Sequence, residues 1–235
     1  MRLDQYLVEE GLVDSRTKAQ TIIKARKVSV NGKAVTKPAF KVNGETVEIT
    51  DEMIYVSRAA HKLKGFLPAL PFKVAGLDAL DIGASTGGFT QVLLEEGAKS
   101  VTCVDVGQGQ LHEKLDNDKR VISFEKMDIR DFTRQRQFEL VTSDVSFISL
   151  HHILESVDAL SKKWIILLFK PQFEVGKDVK RDSNGVVVDL KAIEHAKARF
   201  EEETAALGWK MLHHEPATLS GKEGNIEECY CFEKC

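Results

Sequence analysis

The sequence predicts an α/β protein built on a mostly parallel sheet, with a small α+β unit ahead of it. Three observations lead there. From residue 78 on, strand-like and helix-like segments alternate. The inner strands are apolar throughout, up to the run Trp164–Phe169, as a sheet covered by helices on both faces requires. Ahead of them come two short helical patterns and two Asn-Gly turns, enough for a separate small unit. At 235 residues the chain has room for about two domains. We expect them at residues 1–50 and 58–235, joined by a linker at 51–57.

In the head, "RLDQYLVEEGL" sets Leu3, Tyr6, Leu7 and Glu10 at helical spacing, and Gly11 stops the pattern. Ser15 is a natural N-cap for "RTKAQTIIKARK". On that second helix Ala19, Ile22 and Ile23 form an apolar stripe, while Arg16, Gln20, Lys24 and Lys27 share an adjacent face. "VSVNGKAV" and "FKVNGETVEI" each predict two strands closed by Asn-Gly.

In the body, "SRAAHKLKGFLPAL" predicts a helix capped by Ser57 and ending before Pro71. "LDALDIG", "SVTCVDVG", "VISFEKMDI", "FELVTSDVSF" and "KWIILLFKP" read as strands. "GFTQVLLEEG", "LHHILESVDAL" and "LKAIEHAKARFEEETAALG" read as helices, the first closed by Gly97 and the last by Gly208. "WKMLHHEPATLS" and "NIEECYCFEK" close the chain as two consecutive strands, which predicts a hairpin at one edge of the sheet.

Charge separates the two parts. Residues 1–64 carry 12 Lys/Arg against 8 Asp/Glu, the remainder 21 against 28. A basic head on an acidic body suits a polyanionic partner for the head. The apolar runs fall far short of the roughly 20 residues that span a bilayer. The N-terminus has no signal-peptide core, and the cysteines form no C-x-x-C pair, so a cytoplasmic protein with buried free thiols at Cys103, Cys229 and Cys231 is expected. Four of the seven histidines form adjacent pairs, His151-His152 and His213-His214, and no H-E-x-x-H occurs, so no metal is expected. We expect a monomer.

The sharpest local feature is "ALDIGASTGGFT", Ala79–Thr90. It sits at a strand's C-terminal end, where open α/β sheets bind ligands. It is not G-x-G-x-x-G, since Ser85 takes the second glycine's place, and no Gly-Lys-Ser/Thr makes it a P-loop. A carboxylate, Asp81, stands just before the glycines, which suits a ligand with an ammonium or another cationic centre. Asp105 ends the next strand, but dinucleotide folds also carry an acid there, so Asp105 alone decides nothing.

The turn resembles the "D-x-G-x-S-x-G-G-F" motif of class I methyltransferases, a Rossmann-like fold on a mostly parallel seven-stranded sheet. The resemblance implies S-adenosyl-L-methionine as cofactor, held by Asp81, Gly83, Ser85, Thr86, Gly87, Gly88 and Phe89. Asp105 and Val106 would take the ribose, Asp128 and Ile129 the adenine, and Asp144 the region of the methyl group.

Four ionisable residues stand out further: Lys62, Asp144, Lys170 and Glu227. Asp144 and Lys170 end strands at the rim of the cofactor loop. Burial lowers a lysine's pKa and neighbouring carboxylates raise it, a balance that makes a lysine usable as a general base. The set resembles the Lys-Asp-Lys-Glu tetrad of FtsJ-like RNA 2′-O-methyltransferases. The head, "RLDQYL…GLVDSRTKAQTIIKARKVSVNG", resembles an S4 RNA-binding domain, which implies RNA contacts at Ser15, Arg16, Lys18, Lys24 and Lys27. Lys177, Lys180 and Arg181, after Lys170, are further candidates for phosphate contact, and Phe173 for stacking on a base.

The whole chain is similar to the TlyA family, rRNA cytidine 2′-O-methyltransferases long labelled haemolysins. That implies ribosomal RNA, or a ribosomal subunit, as partner and no membrane. Departures lie at Arg26, Ala59-Ala60, "ATLSGK" and Val188, where members more often have glycine, Gly-Gly or Gly-Ala, "SPIxGP" and arginine. Two rival readings are a membrane-active lytic protein and a catalytically silent RNA-binding assembly factor. The first lacks a spanning segment, and the second leaves the tetrad and cofactor loop without purpose.

Overall fold

The computed structural model describes residues 1–13, 15–49, 55–133 and 136–234. It forms two compact units, Met1–Tyr55 and Val56–Cys235. Most of the expected linker, residues 51–54, lies outside the described residues.

The head packs α1 (Leu3–Glu9) and α2 (Arg16–Lys24) on a three-stranded antiparallel sheet of β1 (Val28–Val30), β2 (Lys33–Ala34) and β3 (Val47–Ile49). Its core is the apolar stripe of both helices, Leu3, Leu7, Ala19, Ile22 and Ile23, set against Val28, Val30 and Val42. Ser15 caps α2, accepting from the Lys18 amide at 3.2 Å. Asn31 and Gly32 both take positive φ, 50° and 73°, as a two-residue hairpin turn requires, and join β1 to β2.

The second Asn-Gly does not make the expected hairpin. Gly44 has positive φ but Asn43 does not, so the turn cannot fold the flanking residues onto each other. β3 pairs with β1 instead. The stretch around Val42 returns to the N-terminus, with Lys41 bridging Arg2 and the Val42 amide donating to Met1 O at 2.8 Å.

α2 ends in a Schellman motif. The Arg26 amide donates to Ile23 O at 3.1 Å and the Lys27 amide to Ile22 O at 3.0 Å. Arg26 supplies the left-handed residue, at φ 62°, where a side chain costs roughly 1–2 kcal/mol that glycine would not.

The body is a seven-stranded sheet in the order β6-β5-β4-β7-β8-β10-β9. The strands β4 (Asp78–Ile82), β5 (Ser100–Val104), β6 (Val121–Phe124), β7 (Phe138–Ser143) and β8 (Ser161–Phe169) are parallel. β9 (Trp209–Pro216) and β10 (Glu228–Lys234) are the closing hairpin, and β10 pairs antiparallel with β8. The chain runs outward from β4 through β5 to β6, then crosses back to β7. The switch point therefore falls at the end of β4, where Asp81 lies.

One face of the sheet carries α6 (Leu154–Leu160) and α8 (Leu190–Ala206), packed on Leu80, Ile82, Ile165, Leu167 and Phe169. α3 (Ala59–Phe66) and α4 (Gly88–Glu95) pack together, and α4 lies against β4 and β5. Two short helices were not evident in the sequence, α5 (Glu113–Asp116) and α7 (Pro171–Glu174), each a single turn. Ser57 does not cap α3: Arg58 stands at the cap and no side chain bonds there. Ser57 is turned to the cofactor-type loop instead, where a Cβ on Gly88 would fall 2.0 Å from its hydroxyl. Cys103, Cys229 and Cys231 are buried free thiols.

Candidate active site

Asp81 is fully buried at the end of β4. Its carboxylate accepts from Thr90 Oγ1 of α4 at 2.6 Å and from Thr142 Oγ1 of β7 at 3.1 Å. Burial raises its pKa to about 6, against the pull of these two hydroxyls. The loop that follows owes its glycines to two demands. Gly83 and Gly87 have positive φ, 74° and 94°. Gly87 and Gly88 also face close neighbours, since a Cβ would strike the Leu115 side chain at 2.3 Å in the first case and the Ala60 amide at 3.0 Å in the second. Close helix packing thus shares these glycines with whatever ligand the loop receives.

Ser85 also sits at positive φ, 49°. Its amide donates to Asp105 Oδ2 at 2.8 Å, and the Gly107 amide donates to Asp105 Oδ1 at 2.7 Å. Two backbone donors fix the Asp105 carboxylate and leave half of its lone pairs for a ligand. Asp128 is bound bidentately by Arg130, at 2.6 and 2.9 Å, which holds its carboxyl down at about 2.

Two chambers open over this loop. One of about 330 Å³ is lined by Gly83, Ser85, Asp105, Val106, Asp128 and Ile129, with Phe147 and Ile148 opposite. The other, of about 160 Å³, is lined by Ser57, Asp81, Thr86, Gly88, Phe89 and Lys170. Gly83, Ser85, Asp144 and Ser146 belong to both.

The four ionisable residues converge as two ion pairs. Lys170, at the end of β8, meets Asp144 Oδ1 at 2.5 Å and donates to Ser146 Oγ at 2.9 Å. Pro171, which lacks an N–H, stops the ladder beside it and opens α7. Lys62 of α3 meets Glu227 Oε2 at 2.5 Å. Gln172 Nε2 donates to Glu227 Oε1 at 3.0 Å and so ties the second pair to the Lys170 strand end. Lys62, Lys170 and Glu227 are buried. Burial raises the pKa of Asp144, while Lys170 and then Lys62 lower it and Glu227 raises it further. The "ATLSGK" segment supports this group. Arg58 Nη2 donates to Ser220 O at 3.0 Å and Thr218 Oγ1 to His61 O at 3.1 Å, holding the segment on α3.

Beside the tetrad stands an aromatic pair. Phe147 is 92% exposed with φ at 66°, a strained conformation for so bulky a residue, and its ring lies 5.3 Å from that of Phe173. Lys170 Nζ is 6.0 Å from the Phe173 ring. Among the RNA candidates, Lys24, Lys177 and Lys180 are exposed. Arg16 is partly engaged, its Nε donating to Asp4 at 3.1 Å. Arg181 is spent on its own loop, donating to the carbonyls of Gln172, Gly176, Lys177 and Val179. Nothing in the sequence singles out Thr90, Thr142, Ser146 or Gln172; Phe147 carries a signal, as an aromatic residue just past a strand end. Among the described residues no cluster of metal-ligating side chains occurs, and no helix is long and apolar enough to cross a membrane.

A parallel sheet with an antiparallel closing hairpin, an acid and glycine loop at its switch point and a buried lysine at the rim define a Rossmann-like methyltransferase. The chain belongs to the FtsJ-like methyltransferase family, whose profile matches residues 55–234, and carries an S4 domain, matched over residues 1–48. It is 44% identical to the 23S rRNA (cytidine-2′-O)-methyltransferase TlyA of Campylobacter jejuni, with both chains covered in full. It is 41% identical to the 16S/23S rRNA (cytidine-2′-O)-methyltransferase TlyA of Mycobacterium tuberculosis, over 96% of this chain and 87% of that one. A solved structure from Streptococcus thermophilus, described as a hemolysin, superposes with a TM-score of 0.73 at 34% identity, covering 100% of this chain and 88% of the other.

Proposed function

We propose that this protein methylates the 2′-hydroxyl of a cytidine ribose in ribosomal RNA, with S-adenosyl-L-methionine as methyl donor, in the cytoplasm. The observation that carries the reading is the pairing of buried Lys170, on the smaller chamber, with Asp144, which lines both. The larger chamber suits an adenosine-sized group. Asp81, buried without a cation, supplies the negative charge that an amino-acid ammonium matches. Asp81, Gly83, Ser85, Thr86, Gly87, Gly88 and Phe89 would hold the methionine part, Asp105 and Val106 the ribose, and Asp128 and Ile129 the base. When bound, the cofactor supplies an electrophilic methyl carbon.

The chain's own residues do the rest. Lys170 takes the proton of the 2′-hydroxyl, and Asp144 holds Lys170 at the rim and favours its protonated product. Lys62 and Glu227 frame the ribose. Phe147 and Phe173 offer an exposed stacking surface for a base drawn out of its helix. The S4 head, with Lys24 and its neighbours, supplies affinity for the RNA backbone. The cytidine assignment follows what the relatives in Campylobacter jejuni and Mycobacterium tuberculosis are named for.

Mapping 2′-O-methylation on ribosomal RNA from cells with and without this protein tests the reading, with Lys170→Met as the matched variant. The expected result is one or more cytidine marks that vanish without the protein and with Lys170→Met, whose rate falls by about 100-fold or more. Cofactor binding to Lys170→Met, followed by calorimetry, is expected to survive. Unchanged marks in the deleted strain would overturn the reading.

A further inference from the structure

An amine acts as a base only along its lone pair. Around the nitrogen of a neutral lysine stand the bond to Cε, two N–H bonds and that lone pair. At Lys170 the Ser146 hydroxyl accepts a hydrogen bond from Nζ at 2.9 Å, while Asp144 Oδ1 is an ion-pair partner at 2.5 Å that takes no hydrogen bond of good geometry. Ser146 therefore sets the direction of one N–H, and Asp144 holds the nitrogen by charge. With Asp144 alone, whose attraction is not directional, the amine would turn among its staggered positions, and once neutral its lone pair would point away from its target part of the time. Ser146 lines both chambers, as Asp144 does, and Lys170 lines the smaller one, so the amine stands at the cleft. The tetrad's other members, Lys62 and Glu227, are paired with each other at 2.5 Å and do not compete for the amine.

We propose that Ser146 is a positioning residue that fixes the rotation of the Lys170 amine and aims its lone pair at the ribose hydroxyl; this rests on reading Lys170 as the general base. In the step served, the 2′-oxygen forms a bond to the transferred methyl carbon. The bond from that carbon to the donor's sulfur breaks, with its electron pair going to sulfur. The hydroxyl proton passes to Lys170 Nζ, giving an ammonium whose new N–H occupies the lone pair's former direction, and solvent later takes that proton. Ser146 accepts the same hydrogen bond before and after the transfer, so it costs no reorganisation during the step.

The test compares wild type, Ser146→Ala, Ser146→Thr and Lys170→Met on ribosomal subunits from cells lacking the protein. For Ser146→Ala, kcat is expected to fall about 10- to 100-fold, the scale set by misaligned general bases. KM for the subunit and Kd for S-adenosyl-L-methionine should stay within about twofold, because Ser146 acts through Lys170 and not on either ligand. Ser146→Thr, which keeps the hydroxyl, should recover most of the rate. A second readout needs no turnover. In protein labelled with ¹⁵N-lysine, the Lys170 Nζ resonance, assigned by its loss in Lys170→Met, should show faster hydrogen exchange with water in Ser146→Ala. Full activity in Ser146→Ala with an inactive Lys170→Met would overturn the role of Ser146 while leaving the base in place. A parallel loss of cofactor affinity would make Ser146 a cofactor contact and overturn the proposal as well. Activity in Lys170→Met would overturn the reading of Lys170, and this inference with it.

Discussion

Two aspartates, one in each unit, have no exposed surface, and they respond to burial in opposite ways. Asp4 of the head is ringed by Arg2, Arg16 and Gln20, at 2.9–3.1 Å. These bonds, Arg2 first, hold its carboxyl well below the usual aspartate range against the opposing effect of burial. Both arginines are about half exposed, so Asp4 is roofed by guanidinium groups and is not sunk in apolar packing. Asp81 of the body accepts from two threonine hydroxyls, no cation among the described residues pairs with it, and there burial wins. A buried acid matched within its own unit belongs to the fold. One left unmatched at a strand's rim suits a cationic ligand, as the function proposed for Asp81 requires.

The largest test of that contrast is Asp81→Asn. We expect its affinity for S-adenosyl-L-methionine to fall by at least about 100-fold, the scale of removing one side of a buried charge pair. We also expect the ligand-free protein to become more stable at pH 7, by about 1–3 kcal/mol, since an unmatched buried charge is removed. Thr142 Oγ1 already lies 3.3 Å from Leu80 O and can donate there while accepting from the new amide. The pH dependence carries the same sign. A carboxyl raised to about 6 contributes stability that is complete below its ordinary pKa of 3.8 and is lost as pH rises through 6. Asp144 and Glu174, both raised by burial, add in the same sense. The ligand-free body should therefore gain stability between pH 7 and 4, less so in Asp81→Asn, while cofactor affinity falls below about pH 6. Denaturant titrations and calorimetry across that range measure both. Equal pH profiles for wild type and Asp81→Asn would break the contrast.

Asp4→Asn should do the reverse. It removes the charge that gathers Arg2 and Arg16, and we expect the head to lose about 1–2 kcal/mol, less than for a deeply buried pair because the arginines regain water. Hydrogen exchange of peptides from residues 1–49 should quicken, with the body unchanged. In wild type the contribution of Asp4 holds above the ordinary aspartate pKa and is lost only as pH falls through its lowered value. Acid thus loosens the head over a range where Asp81 favours the body.

The sequence made much of this architecture legible, but unevenly. The run Trp164–Phe169 is apolar on both faces, so it could only be an inner strand, and β8 is one. Asp81 stands out in the sequence as a candidate because its position before the glycines is a matter of order along the chain. What it pairs with does not, because Thr90 and Thr142 come from other elements and carry no signal of their own. The same holds for Ser146, whose worth depends on where Lys170 Nζ falls. Asn43-Gly44 was misread because the dipeptide marks a turn but does not say which strands will pair. β1 had both edges taken, by β2 and β3, so the preceding residues went to the N-terminus.

Backbone strain extends the comparison to a smaller scale. Ser85 and Phe147 hold left-handed conformations on the walls of the body's chambers, whereas Arg26 holds one at the end of α2. If strain in the body serves ligands and strain in the head only ends a helix, relieving each should differ in outcome. Arg26→Gly keeps both Schellman hydrogen bonds, since they use backbone atoms alone. It removes a roughly 1–2 kcal/mol conformational cost. It returns about 0.4–1 kcal/mol through the greater freedom of glycine in the unfolded chain. A net gain of about 0.5–1 kcal/mol in the head should follow, read as slower hydrogen exchange in α2. Cofactor affinity should not change. Slower exchange together with weaker binding of ribosomal subunits would mean that Arg26 holds its strained geometry for the RNA, and strain in the head would then serve function, as proposed for the body.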